Sequence, residues 1–321
     1  MKILLISPTH SGIGGIAQHV QGLETFLKNE GNTVEIISSE NTFTIPIKGL
    51  KNPSFMISSS LKAKFKKNNE VVEIQTENLF KNPLQIDFPE VGKMEVYPNR
   101  DSLAYIDIYK LQNVETMFRG TFRYPNWCES LDAIKALGMV TYEKQNFEGK
   151  TYKEVVAEQI NVYPKNVKEK VVERLKLDIH SPAIVSMEWL GLFSNERVHL
   201  VEGSTFDLTS DLMLQKMMLP GGARDMVIML HSFLIKNAKG KKEVIKSRLI
   251  DFSTVEDTSI ARTVALPAAI AVKMIFDGKI TDTGVHIPVS KTIYDPILNE
   301  LEKMGISMVE EWGLPEKEKL G

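Results

Sequence analysis

The chain opens on a continuous apolar run, Ile3–Ile6, of a length that predicts a buried strand. Ser11-Gly-Ile-Gly-Gly15 follows as a glycine turn, and Ile16, Val20, Leu23 and Leu27 then recur at helical spacing. Val34–Ile37 reads as a second strand, completing one strand–helix–strand unit. Residues 38–69 lose this order. Ser, Asn, Lys and Pro are frequent there, and the stretch ends in Lys62-Ala-Lys-Phe-Lys-Lys67, read as a solvated helix face or linker. So long a structureless stretch is unusual inside a compact domain, which puts a boundary near Asn68–Val71.

Regular patterning returns at Val71. Val71–Ile74, Leu84–Phe88 and Met94–Tyr97 predict short strands, Leu103–Leu111 a helix, Thr116–Arg123 a strand and Trp127–Leu137 a helix. Helices are expected at 152–160, 167–177, 181–193 and 207–219. A long β-hairpin is expected over Asp225–Ile235 and Glu243–Asp251, turning at Gly240-Lys-Lys242. Ser259–Phe276 predicts an apolar helix that stops near Asp277-Gly278; Tyr294–Met304 predicts a last helix, and Ile306–Val309 a final strand. The expected fold class is therefore α/β with α+β. A short βαβ fragment (1–69) precedes a mixed-sheet domain (70–321), whose sheet draws on 71–140 and 222–312 and carries a helical insertion at about 141–221.

Charge sharpens the boundary. Residues 1–69 carry 8 lysines and 4 glutamates, or +4, whereas the remaining residues hold 31 basic and 37 acidic side chains, or -6. The overall balance of -2 calls for neither nucleic acid nor an anionic membrane as partner. The apolar stretch Thr263–Phe276, broken by Pro267 and Lys273, is shorter than a bilayer span, and no signal peptide is read at the N-terminus. One cysteine, Cys128, rules out an internal disulfide and a cysteine-rich metal cluster. A cytoplasmic protein is expected. Cys128 reads as a packed thiol and Arg262 as a buried structural partner. The Met-rich run 212–219 reads as helix core, and His180, His199 and His231 lack metal-ligand spacing, so no metal is expected.

Two motifs carry candidate chemistry. Tyr97-Pro-Asn-Arg-Asp-Ser102 leaves a strand and opens a helix, placing Arg100 at a strand end, where ligand sites collect in α/β folds. Some twenty residues on comes Arg119-Gly-Thr-Phe-Arg-Tyr-Pro125, where strand alternation sends Arg119, Thr121 and Arg123 to one face. Arginines from neighbouring elements suit a ligand with several carboxylates, each gripped bidentately. The alternative is structural arginines paired with Asp101, Asp107 or Glu129, and spacing leaves both open.

These two runs, with Thr258-Ser-Ile-Ala-Arg-Thr-Val-Ala-Leu-Pro-Ala-Ala269 and Thr283-Gly-Val-His-Ile-Pro288, resemble in order the C-terminal substrate domain of saccharopine dehydrogenases, from about Val71 to Glu311. The resemblance implies a substrate-binding role for Arg100, Thr121, Phe122 and Arg123. It implies an oxidoreductase of lysine metabolism that transfers hydride between the C–N bond of saccharopine and NAD or NADP, leaving the catalytic base unassigned. Saccharopine, a lysine joined through its side-chain nitrogen to a glutarate, carries three carboxylates, which explains the arginines. Family members close this domain over a nicotinamide-binding domain that this sequence does not display. An exposed docking face and a homo-oligomer are therefore expected.

Gly12-Ile-Gly-Gly-Ile-Ala17 formally matches a dinucleotide fingerprint, but its first glycine falls too far beyond the strand to turn the helix onto a pyrophosphate. Pro8–Val20 instead resembles the opening of a two-domain nucleotide-sugar glycosyltransferase, which would put Gly14 and Gly15 beside donor phosphates. An ordinary βαβ turn explains the same glycines.

Overall fold

The computed structural model describes residues 62–217, 220, 223–254 and 257–320, and in the N-terminal part residues 2–7, 25, 26, 28, 29, 31 and 33–38. The chain divides into two compact units, one formed by 1–48 with 219–321 and the other by 49–218.

The first unit holds β1 (Lys2–Ser7) and β2 (Thr33–Ser38), paired in parallel as a strand–helix–strand unit requires. Gly14 and Gly15 lie outside the described residues.

The second unit begins with β3 (Ala63–Lys67) and β4 (Glu70–Ile74), an antiparallel hairpin turning at Asn68-Asn69, both at positive φ. This corrects the reading of the lysine run as linker or helix. Ala63 and Phe65 point inward while the lysines between them reach solvent, a period of two. The expected boundary at Asn68–Val71 falls at the turn of this hairpin.

A three-stranded antiparallel sheet follows, ordered β5 (Leu84–Phe88), β6 (Gly92–Pro98) and β7 (Gly120–Arg123). Between β6 and β7 lies the short α1 (Ala104–Ile108), well inside the expected 103–111. α2 (Trp127–Ala136) packs against this sheet. Beyond it come β8 (Lys144–Asn146), α3 (Tyr152–Ile160), α4 (Val167–Leu175), α5 (Pro182–Leu190), β9 (Glu202–Ser204) and α6 (Thr205–Met217). Thr151 and Glu154 form a capping box at the start of α3, satisfying two backbone donors reciprocally. One apolar core joins Tyr97, α2 and the helices α3–α6, so the helical segment shares its interior with the sheet.

In the first unit, β10 (Met226–Lys236), β11 (Lys242–Phe252) and β12 (Val309–Leu314) form a second antiparallel sheet. The single mixed sheet expected from 71–140 and 222–312 is thus three separate sheets among the described residues, with β4 paired to β3 apart from β5–β7 and β10–β12. α7 (Ser259–Phe276) and α8 (Lys291–Lys303) pack with this sheet around Leu249, Ile270, Ile297 and Leu301. α8 starts three residues before the expected Tyr294, accommodating Pro296 inside it. The last strand begins at Val309 rather than Ile306, whose side chain is buried in the core instead.

At 18 residues, α7 is longer than the apolar stretch read from sequence and is long and apolar enough to cross a bilayer. It carries a buried ion pair, however, between Arg262 and Asp251 of β11 (3.1 Å), and Arg262 also donates to the Met304 carbonyl (3.1 Å). Those contacts make its inner face part of a folded core. Arg262 is the structural partner expected.

Candidate ligand site on the β5–β7 sheet

β6 and β7 pair in the register Glu95–Arg123, Val96–Phe122, Tyr97–Thr121 and Pro98–Gly120. Directly opposed residues project to the same side of a sheet, so Glu95, Tyr97, Thr121 and Arg123 share a face. Thr121 and Arg123 therefore come together as their alternation predicts. Phe122 does not join them: its ring lies on the other face, edge-to-face with Phe88 at 5.6 Å. Its carbonyl still bears on the site by accepting from Arg123 Nη1 (2.8 Å).

The Arg123 guanidinium carbon lies 5.7 Å from the Tyr97 ring centre and 5.5 Å from that of Trp127. Flanked by two aromatic faces and tethered to one carbonyl, the fork is held in place with donors to spare. The preceding glycine is sterically required. A Cβ on Gly120 would stand 2.3 Å from Val96 Cγ1 and 2.9 Å from the Phe118 ring.

Arg119 does not belong to the ligand-facing set. Its Nη1 donates to the Tyr105 hydroxyl (2.5 Å), its Nη2 to the Asn99 carbonyl (3.5 Å), and its guanidinium lies over the Tyr105 ring. Its backbone N–H donates to Ser102 Oγ (3.1 Å) and its carbonyl accepts from Asn99 N–H (2.9 Å). It thereby clamps residues 99–105 onto the start of β7. Within that clamped turn Arg100 adopts a left-handed backbone, φ 50°, with an exposed side chain. Asp101 accepts from Leu103 N–H (2.7 Å), so its carboxylate is committed to the turn. Arg100 lies in the turn beyond the end of β6 at Pro98, whereas Arg123 opposes Glu95 within the strand pair. The two arginines are placed to grip separate carboxylates of one ligand, not one carboxylate jointly.

Glu95 escaped the sequence reading. It is 8% exposed and caps α2, accepting from the N–H groups of Asn126 (2.9 Å) and Cys128 (3.0 Å). A carboxylate at a helix N-terminus is favoured by both hydrogen bonds and dipole. Its trace in the sequence is one acid within the apolar run Met94–Tyr97. The fully buried Cys128 thiol sits nearby, pushed up to about 12 by burial first and then by its hydrogen bond to Glu95.

A sequence model of the saccharopine dehydrogenase C-terminal domain matches residues 52–306. The chain belongs to the saccharopine dehydrogenase family. The match begins upstream of the expected Val71 and takes in the β3–β4 hairpin. The chain is 33% identical over 251 residues to the mitochondrial alpha-aminoadipic semialdehyde synthase of Rattus norvegicus, covering 74% of this chain and 27% of that protein. It is 31% identical over 259 residues to the saccharopine dehydrogenase [NADP(+), L-glutamate-forming] of Saccharomyces cerevisiae, covering 77% and 58% respectively. Among solved structures, the apo histidine-tagged saccharopine dehydrogenase (L-Glu forming) from Saccharomyces cerevisiae superposes with a TM-score of 0.73 at 28% identity, over 81% of this chain and 60% of that one. The chain thus spans between about a quarter and somewhat over half the length of these relatives.

A Rossmann-type nucleotide site has a glycine turn leading straight from a strand into a helix N-terminus. β1 ends at Ser7, and Gly12 follows only after four intervening residues. Among the described residues no strand–glycine turn–helix arrangement of that kind is present.

Proposed function

We propose that this chain binds saccharopine through Arg100, Thr121 and Arg123, as the substrate-holding part of a saccharopine dehydrogenase-type oxidoreductase of lysine metabolism. The observation that carries the proposal is the Arg123 guanidinium, braced by Tyr97 and Trp127 on the face it shares with Thr121, with the exposed Arg100 at the far end of the same hairpin. A fork fixed in advance loses little entropy on gripping a carboxylate, and a second cation in the turn beyond β6 suits another carboxylate of the same ligand. The Thr121 hydroxyl adds a neutral donor between them. The work assigned to these residues is to bind and orient the amine-bearing carbon chain, while the NADP nucleotide is held by a site that this chain does not supply.

Calorimetric titration with saccharopine and, separately, with NADPH tests this. Saccharopine is expected to bind and NADPH is not. A folded sample that binds neither would refute the site, and NADPH binding would refute the division of labour.

A further inference from the structure

A groove of about 500 Å³ opens beside the arginine motif, walled by Trp127 of α2, Val185 and Trp189 of α5, and Met213 and Met217 of α6. That volume is in the range of small-molecule sites. Its apolar walls meet water: Trp189 is 56% exposed, Val185 is half exposed, and Tyr124 at the rim is exposed as well. The Met-rich run expected to be pure core is divided, with Leu212 and Met213 buried and Met217 exposed along the groove.

Two polar features mark the groove. At one margin is Trp127, the ring against which Arg123 lies, so a cation adjoins an otherwise apolar slot. On the lining, Ser130 Oγ donates its one proton to the Asn126 carbonyl (2.8 Å) and accepts from Ser186 Oγ (3.0 Å), which leaves a Ser186 lone pair to accept from an occupant's ammonium, and His180 stands on the same lining. Among the described residues, no carboxylate and no lysine or arginine lines it. This combination selects an unbranched aliphatic segment attached to a carboxylate and ending in a polar group.

We propose that the groove seats the four-methylene lysyl arm of the ligand held by Arg123. The inference rests on the saccharopine reading above and adds a determinant of chain length to it. The glutarate carboxylates engage the hairpin arginines, and the arm crosses Trp127 between the indole of Trp189 and the methionines. The amino-acid end then reaches Ser186 and His180. Flexible methionine side chains and flat indoles suit a slender methylene chain better than a branched one.

The test uses the full chain with Trp312→Phe, so that Trp127 and Trp189 are the remaining indoles. Saccharopine is compared with its analogue built on 2,3-diaminopropionate, which keeps every charged group but lacks three methylenes. Saccharopine is expected to change the indole emission and to bind more tightly than the analogue, by up to about 50-fold if all three methylenes are buried. Trp189→Ala and Val185→Glu, both at exposed positions, should erase that difference, whereas Arg123→Ala should weaken both ligands. Equal, Arg123-dependent binding of the two ligands, unaffected by changes at 185 and 189, would overturn the groove assignment and leave the carboxylate reading standing. Binding of neither ligand would remove both. A concentration-dependent dimer that Val185→Glu dissociates would assign the groove to a second copy of the chain instead.

Discussion

The two arginines proposed to hold carboxylates are embedded differently, and their substitution should separate binding from stability. Arg100 is exposed in its turn, so Arg100→Ala should weaken saccharopine at least tenfold by calorimetry while leaving the urea midpoint unchanged. Arg123 also covers two aromatic faces. Arg123→Ala should weaken binding similarly and cost roughly 1 kcal/mol of stability in the same titration. Buried titratable groups set a separate pH dependence. The Cys128 thiol is held protonated to about 12 in the folded chain, from an ordinary 9.0, and burial also raises the Tyr152 hydroxyl. The unfolded chain gives up these protons first, so stability is complete below about pH 9 and falls as pH rises from there towards 12. Urea midpoints measured from pH 8 to 10.5 should decline, and Cys128→Ala should flatten the decline. At this scale the sequence was informative where alternation governs: Thr121 and Arg123 share the face their spacing predicts. It was uninformative for Arg119 and Glu95, whose partners come from α1 and the start of α2 and are set by tertiary geometry.

Among the elements, the hairpin that presents the site depends on Gly120, because β6 and Phe118 close over its Cα. Gly120→Ala should destabilise the chain by about 1–3 kcal/mol, the usual cost of overpacking, readable as a lower midpoint in thermal or urea unfolding. Long elements with strong local signals were legible: β10 and β11 around Gly240, the helices α3–α6, and the whole of α7. Short or charge-masked elements were not. β8 and β9 have three residues each, too few for a period to show. In β3 the lysines of Lys62–Lys67 hid an alternation that the burial of Ala63 and Phe65 makes plain. A boundary at residue 70 would cut the β3–β4 hairpin, so the family-like part is better taken from 52, where its match begins.

For the whole molecule, exposed apolar side chains outside the groove point towards association. Val285 is fully exposed, Ile287 is largely so, and Met229 and Phe233 of β10 and Trp312 of β12 also face water. Apolar surface on this scale favours contact with another protein surface. Sedimentation velocity across a hundredfold range of concentration should show self-association that strengthens with salt, since hydrophobic contacts are not screened. A clean monomer throughout would count against it. The division of the strands among several sheets was beyond sequence reading for a simple reason. Period and turn chemistry specify strands and hairpins, whereas the assignment of β5–β7 and β10–β12 to separate sheets depends on contacts between residues far apart in the chain.

The burial of Cys128 makes the chain its own stopwatch. It is the one thiol in the sequence, it is fully enclosed, and its backbone is tied to Glu95 at the head of the helix that adjoins both Arg123 and the groove. A reagent can reach it only when that helix lifts away, so each modified molecule records one opening event beside the ligand site.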